Sequence, residues 1–183
     1  MRCVWCDSEY TFTGGEHMSI EAVLSQVDSH GCKLVEVTGG EPLAQREALD
    51  LIKELCDRDY EVLVETGGYV STEDVDPRAH IILDVKCPGS GESERNHWPN
   101  LDHLKSDRDE VKFVIADLAD WKFAQEVIER YQLEKRAKAV LISPVWDAVN
   151  PQDVANWISS SGMNVRMQLQ LHKYIWGPEA RGV

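Results

Sequence analysis

The chain has 183 residues, 43% hydrophobic and 28% charged, which is the make-up of a soluble globular protein with length for one domain over residues 1–183. A formal net charge of −13 argues against nucleic acid as a partner, because phosphates would be repelled. No apolar run approaches the roughly 20 residues of a membrane helix and the N-terminus lacks a signal-peptide layout, so a cytoplasmic chain without a membrane partner is expected.

The chain opens on Cys3 and Cys6, two thiols at metal-ligand spacing, followed by the acidic and aromatic run Asp7 to Phe12. By themselves they fit zinc, an iron–sulfur cluster, a redox pair or two incidental thiols. Zinc would take two further Cys or His ligands, and a thioredoxin-like pair would open a helix. Five cysteines in a cytosolic chain do not read as a disulfide framework. Cys32, before a strand-like run, and Cys56, on the apolar side of a helix, are expected as small core residues, while Cys87 falls in a loop.

Ser19 is placed to cap a helix with apolar face Ile20, Val23, Leu24 and Val27, ended by Gly31. Leu34 to Thr38 reads as a strand running into Gly39-Gly40-Glu41-Pro42. There the paired glycines allow close backbone approach and Glu41 offers an acceptor to an amine. A second helix carries Leu49, Ile52, Leu55 and Cys56, and a strand spans Glu61 to Glu65. A short acidic segment leads to the strand His80 to Lys86, and Cys87 to Asn100 reads as a long functional loop. Val111 to Ile115 is the next strand, with Lys112 in its middle pointing either to a ligand or out from a sheet edge. A helix with Leu118, Trp121, Val127 and Ile128 follows, then the strand Ala139 to Ser143 and a helix opened by Pro151. A last strand is predicted from Val165 to Leu171, with Gln168, Gln170 and His172 on one face.

Short β-branched strands alternating with amphipathic helices predict a parallel α/β architecture, either a partial barrel of about six units or a doubly wound sheet. Polar residues recur where strands end: Thr38, Glu65 with Thr66, Asp84 with Lys86, Ser143, and His172 with Lys173. Ligand sites in such folds lie at that edge.

Cys3-Val4-Trp5-Cys6-Asp7 with Thr38-Gly39-Gly40-Glu41-Pro42 resembles the radical S-adenosylmethionine superfamily. Cys6 to Phe12, Asp84 to Gly91 and Gln168 to Pro178 resemble, more narrowly, the 7-carboxy-7-deazaguanine synthase family. The resemblance implies a (β/α)6-type partial barrel, here lacking its first strand. It also implies a 4Fe–4S cluster, S-adenosylmethionine and Mg²⁺. Cys3 and Cys6 align with the second and third cysteines of the family's C-x3-C-x2-C motif. The first would precede Met1, so the chain is expected to start at an internal methionine or to be a fragment, with little turnover as it stands. Trp5, Cys6, Asp7, Gly40, Asp84, Val85, Lys86, Ser143, Pro144, Val145 and Trp146 align with cofactor-contacting segments. Thr38, Glu65, His172 and Lys173 align with substrate contacts, Lys173 suiting a pterin carboxylate. Ser8 stands where the family has an Mg²⁺-binding threonine, and a serine bonded to local backbone is the bland alternative.

The implied reaction turns 6-carboxy-5,6,7,8-tetrahydropterin into 7-carboxy-7-deazaguanine with loss of ammonia, in queuosine biosynthesis. A flavodoxin or ferredoxin as reductant and a homodimer come with it. A glycyl-radical activating enzyme and a non-catalytic zinc-binding α/β module are the alternatives; the block from His172 to Pro178 argues against the first.

Overall fold

A computed structural model describes residues 1–181; Gly182 and Val183 lie outside the described residues. Six parallel strands form one sheet in sequential order. They are β1 (Leu34–Val37), β2 (Glu61–Thr66), β3 (His80–Lys86), β4 (Glu110–Ile115), β5 (Ala139–Pro144) and β6 (Arg166–Met167). Sequential order with crossovers curls the sheet the way a partial barrel does, and β1 and β6 remain unpaired edges among the described residues.

Alternation along each strand divides the two faces. Val62, Val64, Ile81, Leu83, Val85, Val111, Phe113, Ile115, Val140 and Ile142 are buried in the core. The helices supply the other half of that core: Leu24 from α1 (Ile20–Ser29), Ile52, Leu55 and Cys56 from α2 (Glu47–Asp57), and Trp121, Ala124, Val127 and Ile128 from α3 (Leu118–Tyr131). The short α4 (Leu133–Arg136) adds Leu133, and α5 (Pro151–Ser161) adds Val154. A last helix, α6 (Leu171–Ile175), follows β6. No helix among the described residues is long and apolar enough to cross a membrane.

The helix caps follow the sequence. Ser19 accepts from the Ala22 amide at the start of α1, Asp117 from Asp120 at α3, and Asn150 from Gln152 at α5, where Pro151 takes the first helical position. No α-helix joins β2 to β3 or β3 to β4; turns and short 3₁₀ segments do so instead. The expected loop from Cys87 to Asn100 is built of such segments. Asn100 fixes it by accepting from the Thr72 amide and donating to the carbonyls of Gly68 and Val70.

Two expectations fail. The strand predicted from Val165 to Leu171 is only two residues long: the Gln168 amide donates to the Ile142 carbonyl, after which the chain leaves the sheet and winds into α6. His172 and Lys173 are therefore helical. Cys32 is exposed, because it precedes an edge strand whose own Leu34 is half exposed, whereas Cys56 and Cys87 are buried.

Candidate active site

The sheet face away from the core floors a cavity of about 850 Å³. Glu36, Glu65, Ile82, Asp84, Lys86, Lys112, Val114 and Ser143 project into it from five successive strands. Met1, Cys3, Trp5, Cys6, Asp7 and Ser8 line it from the opening loop, Thr38 to Gly40 from the β1 turn, and Met167 to His172 from the C-terminal segment. The expected alternation of Gln168, Gln170 and His172 against Leu169 and Leu171 is lost. Once the strand ends at Met167, consecutive residues face the same cavity.

The opening loop is a tight turn, with the Cys6 amide donating to the Cys3 carbonyl at 3.1 Å, and the Val4 amide ties it to the Ser90 carbonyl. Both thiols are half-buried and face the cavity. Burial pushes the Cys3 thiol up; Lys86 pulls against it while Asp84, Cys6 and Glu92 add to it, and the thiol ends above its ordinary value.

Asp7 latches this loop to the end of the chain. Its Oδ2 accepts from Gln170 Nε2 at 2.7 Å and lies 3.1 Å from Lys173 Nζ, with His172 Nε2 at 3.9 Å. Burial opposes the charge of Asp7, but the hydrogen bond and charge of Lys173, with Ser8 and His172, hold its carboxyl below the usual value. Lys173 is buried, its ammonium committed to Asp7. Ser8 Oγ donates to Asp7 Oδ1 at 3.0 Å, and its carbonyl accepts from the amide and hydroxyl of Thr11.

The floor carries two ion pairs. Lys86 Nζ lies 2.7 Å from Asp84 Oδ2, and Lys112 Nζ lies 2.6 Å from Glu65 Oε1. Burial works against each ammonium. Asp84, Cys3 and Glu65 outweigh it at Lys86, as Glu65 and Asp84 do at Lys112, so both lysines stay protonated more firmly than in water. Glu36 is pushed up, by burial first and then by the charge of Glu65, with Lys112 offsetting part. Asp84 Oδ1 is buried without any hydrogen-bond partner, the one such side-chain atom among the described residues. A carboxylate oxygen left unsatisfied at the wall of a cavity is a ready acceptor for a ligand.

Glu41 is not available to an amine. Its carboxylate is buried and takes hydrogen bonds from the Leu43 amide, the Thr66 hydroxyl and the Gly67 amide, clasping the β1 turn to the end of β2. Gly39 has φ +145 with nothing near its would-be Cβ, so backbone conformation rather than crowding requires the glycine. Gly68 needs both: its φ is +76 and a Cβ there would sit 3.1 Å from the Asp84 carbonyl. Val85 turns its side chain into the core. Pro144, Val145 and Trp146 line an adjoining cleft of about 350 Å³ that shares Leu169 and Gln170 with the main cavity, where Trp146 packs edge-on against Tyr174.

Glu36 was missed as a cavity residue, although a carboxylate alternating with Val35 and Val37 in a strand signals an unusual face. Lys112 faces the cavity. The edge-strand alternative fails because β4 lies between β3 and β5.

A cysteine loop over the C-terminal edge of a curled parallel sheet defines a protein of the radical S-adenosylmethionine class, and the signature of the Radical SAM superfamily matches residues 1–85. Curated relatives narrow this. A 7-carboxy-7-deazaguanine synthase of Koribacter versatilis is 44% identical, over 100% of this chain and 87% of the relative. Its namesake in Chlorobaculum tepidum is 41% identical, over 99% and 83%. The one in Thermoplasma acidophilum is 35% identical, over 97% and 83%. The chain belongs to the 7-carboxy-7-deazaguanine synthase family. Its fold matches the crystal structure of QueE from Escherichia coli with a TM-score of 0.64 at 20% identity, covering 92% of this chain and 79% of that one.

Proposed function

We propose that this chain, as one radical S-adenosylmethionine domain over residues 1–183, is a carbon–nitrogen lyase. Its reaction converts 6-carboxy-5,6,7,8-tetrahydropterin to 7-carboxy-7-deazaguanine with loss of ammonia, on the cytoplasmic route to queuosine and other 7-deazapurines. The observation that carries this reading is the cavity in which Cys3 and Cys6 face Glu65, Asp84, Lys86 and Lys112, in a chain of this family.

Two thiols one turn apart suit iron–sulfur ligation, and a 4Fe–4S cluster with one open iron takes three thiolates. Among the described residues no three His, Cys, Asp or Glu stand together as a metal site, so Cys3 and Cys6 supply two of the three. When bound, the cluster supplies the electron that splits S-adenosylmethionine and so yields the hydrogen-abstracting radical.

The protein's own part is to bind and orient. The free Asp84 Oδ1 accepts a donor of S-adenosylmethionine, while Lys86 holds the other oxygen of that carboxylate in place. Trp5, Cys6, Asp7 and Gly40 approach the same ligand; Val85 can do so only through its backbone. Ser143 borders the main cavity, and Pro144 to Trp146 the adjoining cleft, which suits a flat ring. Thr38, Glu65 and His172 face the remaining space for the pterin. Lys173 would meet the pterin carboxylate by exchanging Asp7 for it, one carboxylate for another. Mg²⁺ would take the Ser8 hydroxyl, with waters and substrate completing its oxygen shell. A flavodoxin or ferredoxin supplies the electron. A homodimer, supported by the exposed Leu171, Tyr174, Ile175 and Trp176, belongs to the same reading.

Anaerobic reconstitution with iron and sulfide tests it, on the chain itself and on a form extended upstream to a cysteine four residues before Cys3. The expected result is cluster absorbance and S-adenosylmethionine cleavage in the extended form, both lost in Cys3→Ala and Cys6→Ala. An uncoloured protein holding stoichiometric zinc would instead favour the zinc-binding module.

A further inference from the structure

Among the charged groups on the cavity floor, Lys112 has no role in the reading above. It stands mid-strand in β4, flanked by the fully buried Val111 and Phe113, and with β3 and β5 on either side it cannot escape around an edge. An apolar residue is the default there, since an ammonium withdrawn from water is unfavourable unless a carboxylate meets it. That carboxylate is Glu65: Lys112 Nζ donates to its Oε1 at 2.6 Å, and the side chain of Glu65 still opens to the cavity. The other charged groups that act on this pair are Asp84, level with Lys112 in the β3–β4 register, Glu36 on β1, and Lys86, which is itself held by Asp84. Without Lys112, Glu65 would face Glu36 and Asp84 with its nearest counter-charge gone.

We propose that Lys112 is a positioning residue for the reaction: its ammonium grips Oε1 of Glu65, fixing the carboxylate beside the cavity and leaving Oε2 to accept N–H groups of the bound pterin. The inference rests on the proposed function, because it takes a pterin as the occupant. Lys112 touches no substrate itself; it fixes the rotamer of the residue that does. A carboxylate accepts through both oxygens, so one can be committed to the protein while the other serves the ligand.

The test pairs binding with turnover in the cluster-loaded enzyme, in a form given a cysteine four residues before Cys3. Calorimetric titration uses 6-carboxypterin, an oxidised analogue that does not react, and turnover uses the tetrahydropterin. Lys112→Met is expected to weaken binding and raise KM roughly ten- to hundredfold, with a smaller fall in kcat. Its unfolding temperature should fall, because Glu65 is left without its counter-charge, and should recover when Glu65→Gln is added, so stability and the split between KM and kcat are read separately. Lys112→Arg restores most of the affinity. Lys112→Met combined with Glu65→Gln is no worse than Glu65→Gln alone, since one change acts through the other. Lys112→Met binding and turning over like the parent would overturn the proposal, as would losses that multiply in the double variant. A parent that shows this binding pattern but forms no 7-carboxy-7-deazaguanine would refute the proposed function and leave the role of Lys112 intact. A parent that binds no pterin would refute both.

Discussion

Replacing Glu41 separates a structural carboxylate from a cofactor contact. Its two oxygens receive the Leu43 amide at 3.1 Å, the Thr66 hydroxyl at 2.8 and 2.9 Å, and the Gly67 amide at 2.9 Å, in a buried setting. Glu41→Gln keeps the shape but points an NH₂ at donors, removing one charge-assisted bond and opposing another; about 2–3 kcal/mol is expected. Glu41→Ala strands all three donors, though the Thr66 hydroxyl can rotate to a new acceptor, for about 3–4 kcal/mol. In a chain of this size that lowers the unfolding midpoint by about 6–15 °C. Scanning calorimetry of the metal-free protein measures it without any ligand. A Glu41→Ala protein as stable as the parent, yet unable to bind S-adenosylmethionine, would refute the structural account and return Glu41 to the cofactor.

Three further outcomes follow from the site. The pKa of Asp7 is depressed in the folded chain, so its latch stabilises fully above the ordinary carboxylate value of 3.8 and is lost as pH falls through the lower, folded value. Hydrogen-exchange protection of the Lys173 and Trp176 amides, taken against the free-peptide rate at each pH, should fall on acidification below about pH 4, and Asp7→Asn should show the low protection already at neutral pH; full protection in that variant would contradict the latch. Lys86 lowers the pKa of the Cys3 thiol, so Lys86→Met should slow iodoacetamide alkylation of Cys3 several-fold near pH 8, read by mass spectrometry; faster alkylation would count against it. The 183-residue chain, with two thiolates at the site, should bind less than one cluster per protein, and iron counting on the upstream-extended form should reach four per chain; equal loading of the two forms would refute the two-thiolate account.

Most of the sheet was legible because each strand is a short β-branched run bounded by Gly, Pro or a charged turn, and tertiary packing agrees with that local preference. The end of the chain was not. Val165 to Leu171 alternates as a strand should, but only Arg166 and Met167 find partners on β5, and the same alternation then serves a turn and a helix. At the site, the residue types were readable and their partners were not. Glu41 looked like an acceptor, but that Thr66 and Gly67 would fill it depends on where β2 ends. Lys112 was visible as an ammonium out of place in a strand. Only the sheet order could show that β4 is interior and that Glu65 lies within reach.

The account stands most directly on one measurement: the product formed when the cluster-loaded enzyme, S-adenosylmethionine, a reductant and 6-carboxy-5,6,7,8-tetrahydropterin are combined without oxygen and analysed by mass spectrometry. The account predicts 7-carboxy-7-deazaguanine, with release of one ammonia per product and a sharp loss in Cys3→Ala. S-adenosylmethionine cleaved at full rate, with the pterin unchanged, would contradict it.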